Sequence, residues 1–122
     1  VGEAVRAADP AIQVVEAADV FALSRLWEGC DRVVVVDCVV SGRDAGWLHC
    51  CDVSTVPLPA TLRATSTHRL GMADAIEIER AMNRLPASLV FVGVEGVNFA
   101  YGAPLTPAVE AAIPRAVAAV LA

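Results

Sequence analysis

The stretch Val33-Val34-Val35-Val36-Asp37-Cys38-Val39-Val40 decides the fold of this chain. Four consecutive valines do not suit a strand with one face in water, because alternate side chains would then be solvated. A short β-branched run followed at once by Ser41-Gly42 instead predicts a strand covered on both faces, as in a parallel sheet between helices. A buried carboxylate without partners is costly. We therefore expect Asp37 where the strand emerges at its carboxyl end, the edge at which open α/β sheets place ligands.

The composition predicts one soluble domain spanning residues 1–122. Hydrophobic residues make up 57% of the chain and charged residues 19%, which argues against disorder. No apolar run reaches the roughly 18 residues of a membrane span, and no signal-peptide pattern is seen at the start. A net charge of −5 with scattered basic residues argues against nucleic acid as a partner. We expect a cytoplasmic monomer with no membrane partner.

Strands alternate with helices, which predicts an α/β fold: a three-layer α/β/α domain with a mostly parallel twisted sheet flanked by helices. Helices are expected over residues 3–8, 20–28, 70–84 and from 107 onward, and strands over 12–15, 33–40, 47–51 and 89–94, the 47–51 strand being nearer an edge. The apolar face predicted for the third helix is Met72, Ala75, Ile78, Met82 and Leu85. The last helix should bend at Pro114. The side chains expected to face the core from this helix are those of Val109, Ile113, Val117 and Val120 or Leu121.

The four cysteines are predicted to pack as small apolar residues and to stay free of disulfides and zinc. They are Cys30, Cys38, Cys50 and Cys51, and no two have the Cys-x-x-Cys spacing. His49 beside Cys50 leaves a zinc site open as the weaker alternative.

Three groups are predicted to converge at the carboxyl edge of the sheet. Asp37 leaves one central strand, Glu95 leaves another, and His68 precedes the third helix. Carboxylate and imidazole suit a divalent transition metal or general acid–base chemistry. Plainer roles stay open, because either acid could cap a loop and a lone histidine at a helix start more often has no ligand. His49, in the middle of a strand, is expected to be a packed or surface residue.

A pattern of motifs covers nearly the whole chain. It comprises an apolar strand ending in an aspartate (VVVVDCVVSG, 33–42), a glycine-led strand (46–48), a histidine segment entering a helix (TSTHRLGMADAI, 65–76), and a closing strand and helix (89–94 and 105–110). In this order the motifs resemble those of the hydrogenase maturation endopeptidases. Members of that family recognise nickel and remove the C-terminal tail of a hydrogenase large subunit.

The resemblance implies that Asp37 and His68 fall on two of the family's metal ligands, and it makes Asp37 the candidate catalytic group. The family's third ligand is a carboxylate in a loop after a first strand, shortly before a Val/Ile-Gly pair that Val1-Gly2 matches. We therefore expect a truncated form that lacks this strand and loop. By the same resemblance the metal is nickel, supplied by the partner, the hydrogenase large-subunit precursor.

Two other functions stay open on the sequence alone. The chain could be a catalytically inactive binding module that holds the precursor or another partner, since one ligand is expected to be missing. It could also be a related α/β peptidase with a different substrate. Incubation with nickel-loaded precursor separates a hydrogenase maturation endopeptidase from a binding module, because only the enzyme shortens the large subunit.

Overall fold

The computed structural model describes residues 2–15, 23–59, 72–96 and 107–121 of the chain. Within these ranges it contains four helices and three strands. The helices are α1 (Gly2–Ala8), α2 (Leu23–Leu26), α3 (Met72–Ala81) and α4 (Pro107–Leu121), and the strands are β1 (Arg32–Val39), β2 (Leu48–Asp52) and β3 (Ser88–Glu95). The predicted α/β class is confirmed.

The three strands form one mixed sheet in the order β1-β3-β2. β1 lies parallel to β3, with Asp37 opposite Gly93 and Val39 opposite Glu95. β2 lies antiparallel to β3, with His49 also opposite Gly93. The central strand of the described sheet is therefore β3. The longer of the two pairings, between β1 and β3, is parallel, and the shorter one makes the described sheet mixed. The expectation that the valine run is the central strand is wrong for the described sheet, because the neighbours of a strand are set by long-range pairing that a short apolar run does not encode.

Helix α3 covers one face of the sheet and closes the larger core. Side chains of alternate strand residues, among them Val35, Val39 and Phe91, pack on this face against Ala75 and Ile76 of α3. The remaining members of this core are Trp27, Val53, Leu58 and Leu89, with Val33, Cys51 and Leu85 packed at its margin. The predicted strand at residues 33–40 is confirmed in type and nearly in length.

Helix α4 covers the opposite face with smaller side chains. Ala112 and Ala116 are fully buried there against Val94, and Leu48 packs beside them. Because the helix touches the sheet through alanines, Ile113 and Val117 are only partly buried and Leu121 is exposed. The predicted buried face of this helix is therefore wrong, because the observed face is rotated about the helix axis toward Ala112 and Ala116. Helix α4 passes through Pro114 without ending.

The predicted face of α3 is also rotated from the observed one. Ala75 and Leu85 face the core as expected. Ile78 and Met82 are exposed, whereas Ile76 and Glu79 are buried. A spacing of three and four residues fits several angular positions on a short helix, so packing against β1 and β3 decides among them. The side chains of Met72 and Val109 lie outside the described ones.

Two further expectations fail. Residues 12–15 form no strand, because local bonds hold this segment: Ala11 N–H donates to Asp9 at 3.0 Å, and the Arg6 guanidinium donates to the carbonyl of Val14 at 3.0 Å. The cysteines are free, but only Cys51 packs at the core; the other three are exposed.

Among the described helices, none has both the length and the apolar character needed to cross a membrane.

Candidate functional site at the carboxyl ends of β1 and β3

The two predicted acids of the sheet lie near the same edge. Because β1 and β3 are parallel, their carboxyl ends come together, and Glu95 is the last residue of β3 opposite Val39, the last residue of β1. Asp37 is two residues earlier on β1. It therefore lies inside the strand, which corrects the expectation that it stands where the strand emerges.

Asp37 lies on the face of the sheet that α3 covers. It alternates with Val35 and Val39, which pack on that face, and its own side chain is partly buried. One carboxylate oxygen accepts the N–H of Cys38 at 2.9 Å. Although Cys38 as a whole residue is exposed, desolvation of its thiol group, together with the charge of Asp37, raises the pKa of that thiol. The thiol is therefore mostly protonated at neutral pH, and a protonated thiol is a poor nucleophile.

His68 lies outside the described residues, so the predicted pairing of Asp37 and His68 stays a prediction. Helix α3 begins four residues after His68 in the sequence, at Met72, and packs on the face that carries Asp37. Within residues 2–15, 23–59, 72–96 and 107–121, no three Asp, Glu, His or Cys side chains are grouped to hold a metal.

The best-defined polar constellation at this edge consists of Ser41, His49 and Glu95, hereafter the Glu95 cluster. Glu95 is only 1% exposed. Its carboxylate accepts the backbone N–H of Ser41 at 3.0 and 3.1 Å, the Ser41 hydroxyl, and Nε2 of His49 at 2.8 Å. A carboxylate so deeply buried needs such donors, since an unpaired buried charge is strongly unfavourable.

The hydrogen bonds of the Glu95 cluster also set its charge state. Burial alone raises the pKa of Glu95, but the hydrogen bonds from Ser41 and His49 and the electrostatic attraction of His49 outweigh burial, so that the pKa lies below its ordinary value. Glu95 is therefore ionised at neutral pH. It is an acceptor that organises its neighbours, and it is too buried and too acidic to serve as a general base.

A β-bulge just before β2 holds the backbone of Glu95 on both sides. Glu95 donates its N–H to the carbonyl of Trp47 at 2.9 Å, but its own carbonyl accepts the N–H of Gly46 at 2.8 Å. Two residues of the β2 side thus oppose one residue of β3, which is the definition of a bulge. Gly46 has φ +88°, and Trp47 N–H closes the preceding turn on the carbonyl of Asp44 at 3.0 Å. Bulges of this kind redirect side chains at the edges of sheets.

The Glu95 cluster is not a serine-protease relay. In such a relay the carboxylate and the serine hydroxyl bind different nitrogens of the histidine ring. Here Nε2 of His49 is 2.8 Å from Glu95 Oε1 and 3.3 Å from Ser41 Oγ, and the Ser41 hydroxyl donates directly to Glu95. The Ser41 hydroxyl donates its proton to a hydrogen bond with Glu95, and it is not activated as a nucleophile by the histidine.

Two members of this cluster were not expected from the sequence to matter. His49 is partly buried, which agrees with the prediction of a packed residue. Its hydrogen bond to Glu95 was not predicted. Ser41 stood out only as part of the turn after β1. The signal that could have found them is the buried acid itself, because Glu95 at the end of an apolar strand requires donors from neighbouring strands.

Comparison with known proteins decides the family. The model of the hydrogenase maturation protease family, HycI, matches residues 5–122. The chain belongs to the hydrogenase maturation protease family. The resemblance noted from the motifs is thereby confirmed, and nearly all of the described elements fall within the match.

Curated relatives agree with this assignment. The chain is 34% identical over 93 residues to the hydrogenase 2 maturation protease of Escherichia coli K12, covering 75% of this chain and 56% of that protein. It is 30% identical over 84 residues to the hydrogenase expression/formation protein HupD of Bradyrhizobium diazoefficiens, covering 68% of this chain and 44% of that protein. The chain thus spans about half the length of the curated relatives it matches. That a first strand and loop are lacking here stays a prediction.

Solved structures of the family share the fold. The hydrogenase maturating endopeptidase HybD of E. coli superposes with a TM-score of 0.58 at 30% identity, over 75% of this chain and 56% of that one. An E. coli endopeptidase solved in solution gives a TM-score of 0.63 at 30% identity, over 83% of this chain and 64% of that one.

Proposed function

We propose that the protein is an endopeptidase that removes the C-terminal peptide from the precursor of a nickel-containing hydrogenase large subunit. The observation that carries this proposal is the family match over residues 5–122, together with a partly buried carboxylate, Asp37, near the carboxyl edge of the sheet. The substrate is the precursor, and its nickel is the recognition element. We further propose that the protein acts in the cytoplasm as a monomer.

The roles proposed for this chain's own residues follow from their chemistry. Asp37 and His68 would contact the nickel that the precursor carries, since carboxylate and imidazole are suitable ligands for a divalent transition metal. The metal is proposed to be the nickel already held by the precursor, so that cleavage depends on prior loading of the substrate. Asp37 is also our candidate for activating the attacking water.

The experiment that tests the function is incubation of nickel-loaded precursor with the purified protein, followed by mass measurement of the large subunit. We expect loss of the C-terminal peptide with the wild type and no loss with Asp37→Asn or His68→Ala. The matched control is Cys50→Ala, an exposed residue of β2 on the face away from Asp37. Unchanged processing by both variants would contradict the proposed site.

The same assay tests the binding-module alternative. A wild-type protein that co-elutes with the precursor but leaves its mass unchanged would be a binding module, and the endopeptidase proposal would then be wrong. Precursor without nickel serves as the second control. We expect it to remain uncut, because the metal supplies the recognition.

A further inference from the structure

We propose that His49 is a positioning residue for the Asp37 site, acting through the buried carboxylate of Glu95 on the backbone of Ser41. This inference rests on the proposed function in one respect only, namely that Asp37 is the carboxylate that works on the substrate. The role is distinct from metal binding, because His49 would touch neither the metal nor the peptide.

His49 lies on the same face of the sheet as Asp37 and Glu95. His49 and Asp37 lie opposite the same residue, Gly93, on the two sides of β3. Alternation along β2 and β3 puts the side chains of His49 and Glu95 on the α3 face, which also carries Asp37. The His49 side chain is 14% exposed and its Nε2 lies 2.8 Å from Glu95 Oε1.

His49 supplies one of the hydrogen bonds that the buried carboxylate of Glu95 needs. A carboxylate that is 1% exposed obtains its hydrogen bonds from protein groups, and within the described part of the chain Glu95 is bonded by Ser41 and His49. His49 donates from a different strand, β2. Removing it takes away a charge-assisted bond, and of the donors among the described residues only Ser41 then holds the carboxylate.

Glu95 in turn binds the backbone that follows β1. Both carboxylate oxygens hold the N–H of Ser41, the second residue after β1 ends. Beside it, Gly96 N–H donates to the carbonyl of Val39 at 3.0 Å. These bonds hold residues 39–41, which follow Asp37 in the chain, against the end of β3. A shift of this segment would move the Asp37 carboxylate relative to a bound substrate.

The region on the other side of the cluster is fixed independently of His49. Arg115 of α4 donates to the carbonyl of Gly46 at 3.0 Å, and Gly46 lies against the backbone of Ala108. The bulge therefore stays in place when His49 is changed. The effect of a His49 variant should accordingly be confined to Glu95, Ser41 and the end of β1.

The test compares His49→Ala with His49→Gln, whose amide nitrogen can occupy the place of Nε2 and donate to Glu95. Cys50→Ala is the control next in sequence, on the opposite face. Three quantities are measured: hydrogen exchange of the Ser41 amide, the Asp37 carboxyl carbon signal by NMR, and kcat and KM for nickel-loaded precursor.

We expect His49→Ala to lose protection of the Ser41 amide, to shift the Asp37 signal and to lower kcat by about tenfold with little change in KM, because misplacing a reacting group slows chemistry more than binding. His49→Gln should restore protection and most of kcat, and Cys50→Ala should match the wild type. A merely structural role would lower stability without a selective loss of kcat over KM and without restoration of kcat by His49→Gln.

Two results would overturn the inference: His49→Ala with unchanged Ser41 protection and kcat, or His49→Gln as defective as His49→Ala. If His49→Ala does not fold, His49→Gln against the wild type still decides by the same NMR signals. A wild-type protein that leaves the precursor intact contradicts the proposed function, and the Ser41 and Asp37 signals then decide the positioning role by themselves.

Discussion

Strands β1 and β3 resemble each other in sequence but differ in environment. Each has eight residues, is mostly apolar and carries one acid near its carboxyl end. β3 is central and is buried on both faces from Phe91 to Glu95, whereas β1 forms one side of the described sheet and several of its valines are only partly buried. The acid on β3 is enclosed by donors, and the acid on β1 stays partly exposed. The position of its strand in the sheet therefore makes Glu95 a structural acid and leaves Asp37 as the candidate for chemistry.

The largest effect on stability is expected from Glu95→Ala. This change removes a fully buried side chain and leaves Ser41 N–H and His49 without their acceptor, so we expect the free energy of unfolding to fall by about 3 kcal/mol. Urea denaturation measures it, with Glu110→Ala on the exposed side of α4 as the control near zero. A loss below about 1 kcal/mol would show that the Glu95 cluster does not support the fold.

The second largest effect is expected from Gly46→Ala, which disturbs the bulge that binds the backbone of Glu95. A Cβ on Gly46 would lie 2.5 Å from the carbonyl oxygen of Ala108, and φ is +88°. Gly42 is the matched control, because it has φ +93° but no atom within 4 Å of its Cβ position. We expect a loss of about 1 kcal/mol for Gly42→Ala and about 2–3 kcal/mol for Gly46→Ala. Thermal unfolding of both variants measures the difference, and equal losses would contradict the close contact.

A smaller effect is expected from acid. Because the folded-state pKa of Glu95 lies below its ordinary value of 4.5, its ionisation stabilises the fold above that value, and this stabilisation is lost as the pH falls through the folded pKa. The difference in unfolding free energy between wild type and Glu95→Gln should therefore shrink with falling pH. Urea unfolding at about pH 6 and about pH 3.5 measures it. A difference that grows on acidification would reverse the sign of the argument.

The smallest effect on stability is expected from Asp37→Asn, which sharpens the contrast between the two acids. The amide oxygen of Asn can still accept the N–H of Cys38, so we expect a change of about 1 kcal/mol or less with complete loss of precursor processing. Urea denaturation and the mass assay measure the two quantities on one sample. A large loss of stability would make Asp37 a structural acid like Glu95.

The sequence predicted the elements better than their faces. The valine run, the strand at 89–94 and the helices that begin the chain and follow Pro107 are periodic or uniform enough to be identified locally. The buried faces of α3 and α4 were predicted at the wrong angle, since Ile76 and Ala112 are chosen by what lies opposite them. For the candidate site, the family motifs led to Asp37, whereas the bonds of Ser41 and His49 to Glu95 join residues 46 or more positions apart.

The sequence by itself determined the α/β class, the family and the two acids near the ends of apolar strands, because each depends on local composition or on an ordered set of motifs. Only the tertiary structure decided that β3 is the central strand, that Glu95 is buried and that His49 faces it. The physical reason is that burial and hydrogen-bond partners belong to pairs of residues distant in the chain, and the free energy that fixes them comes from packing, which local sequence does not contain.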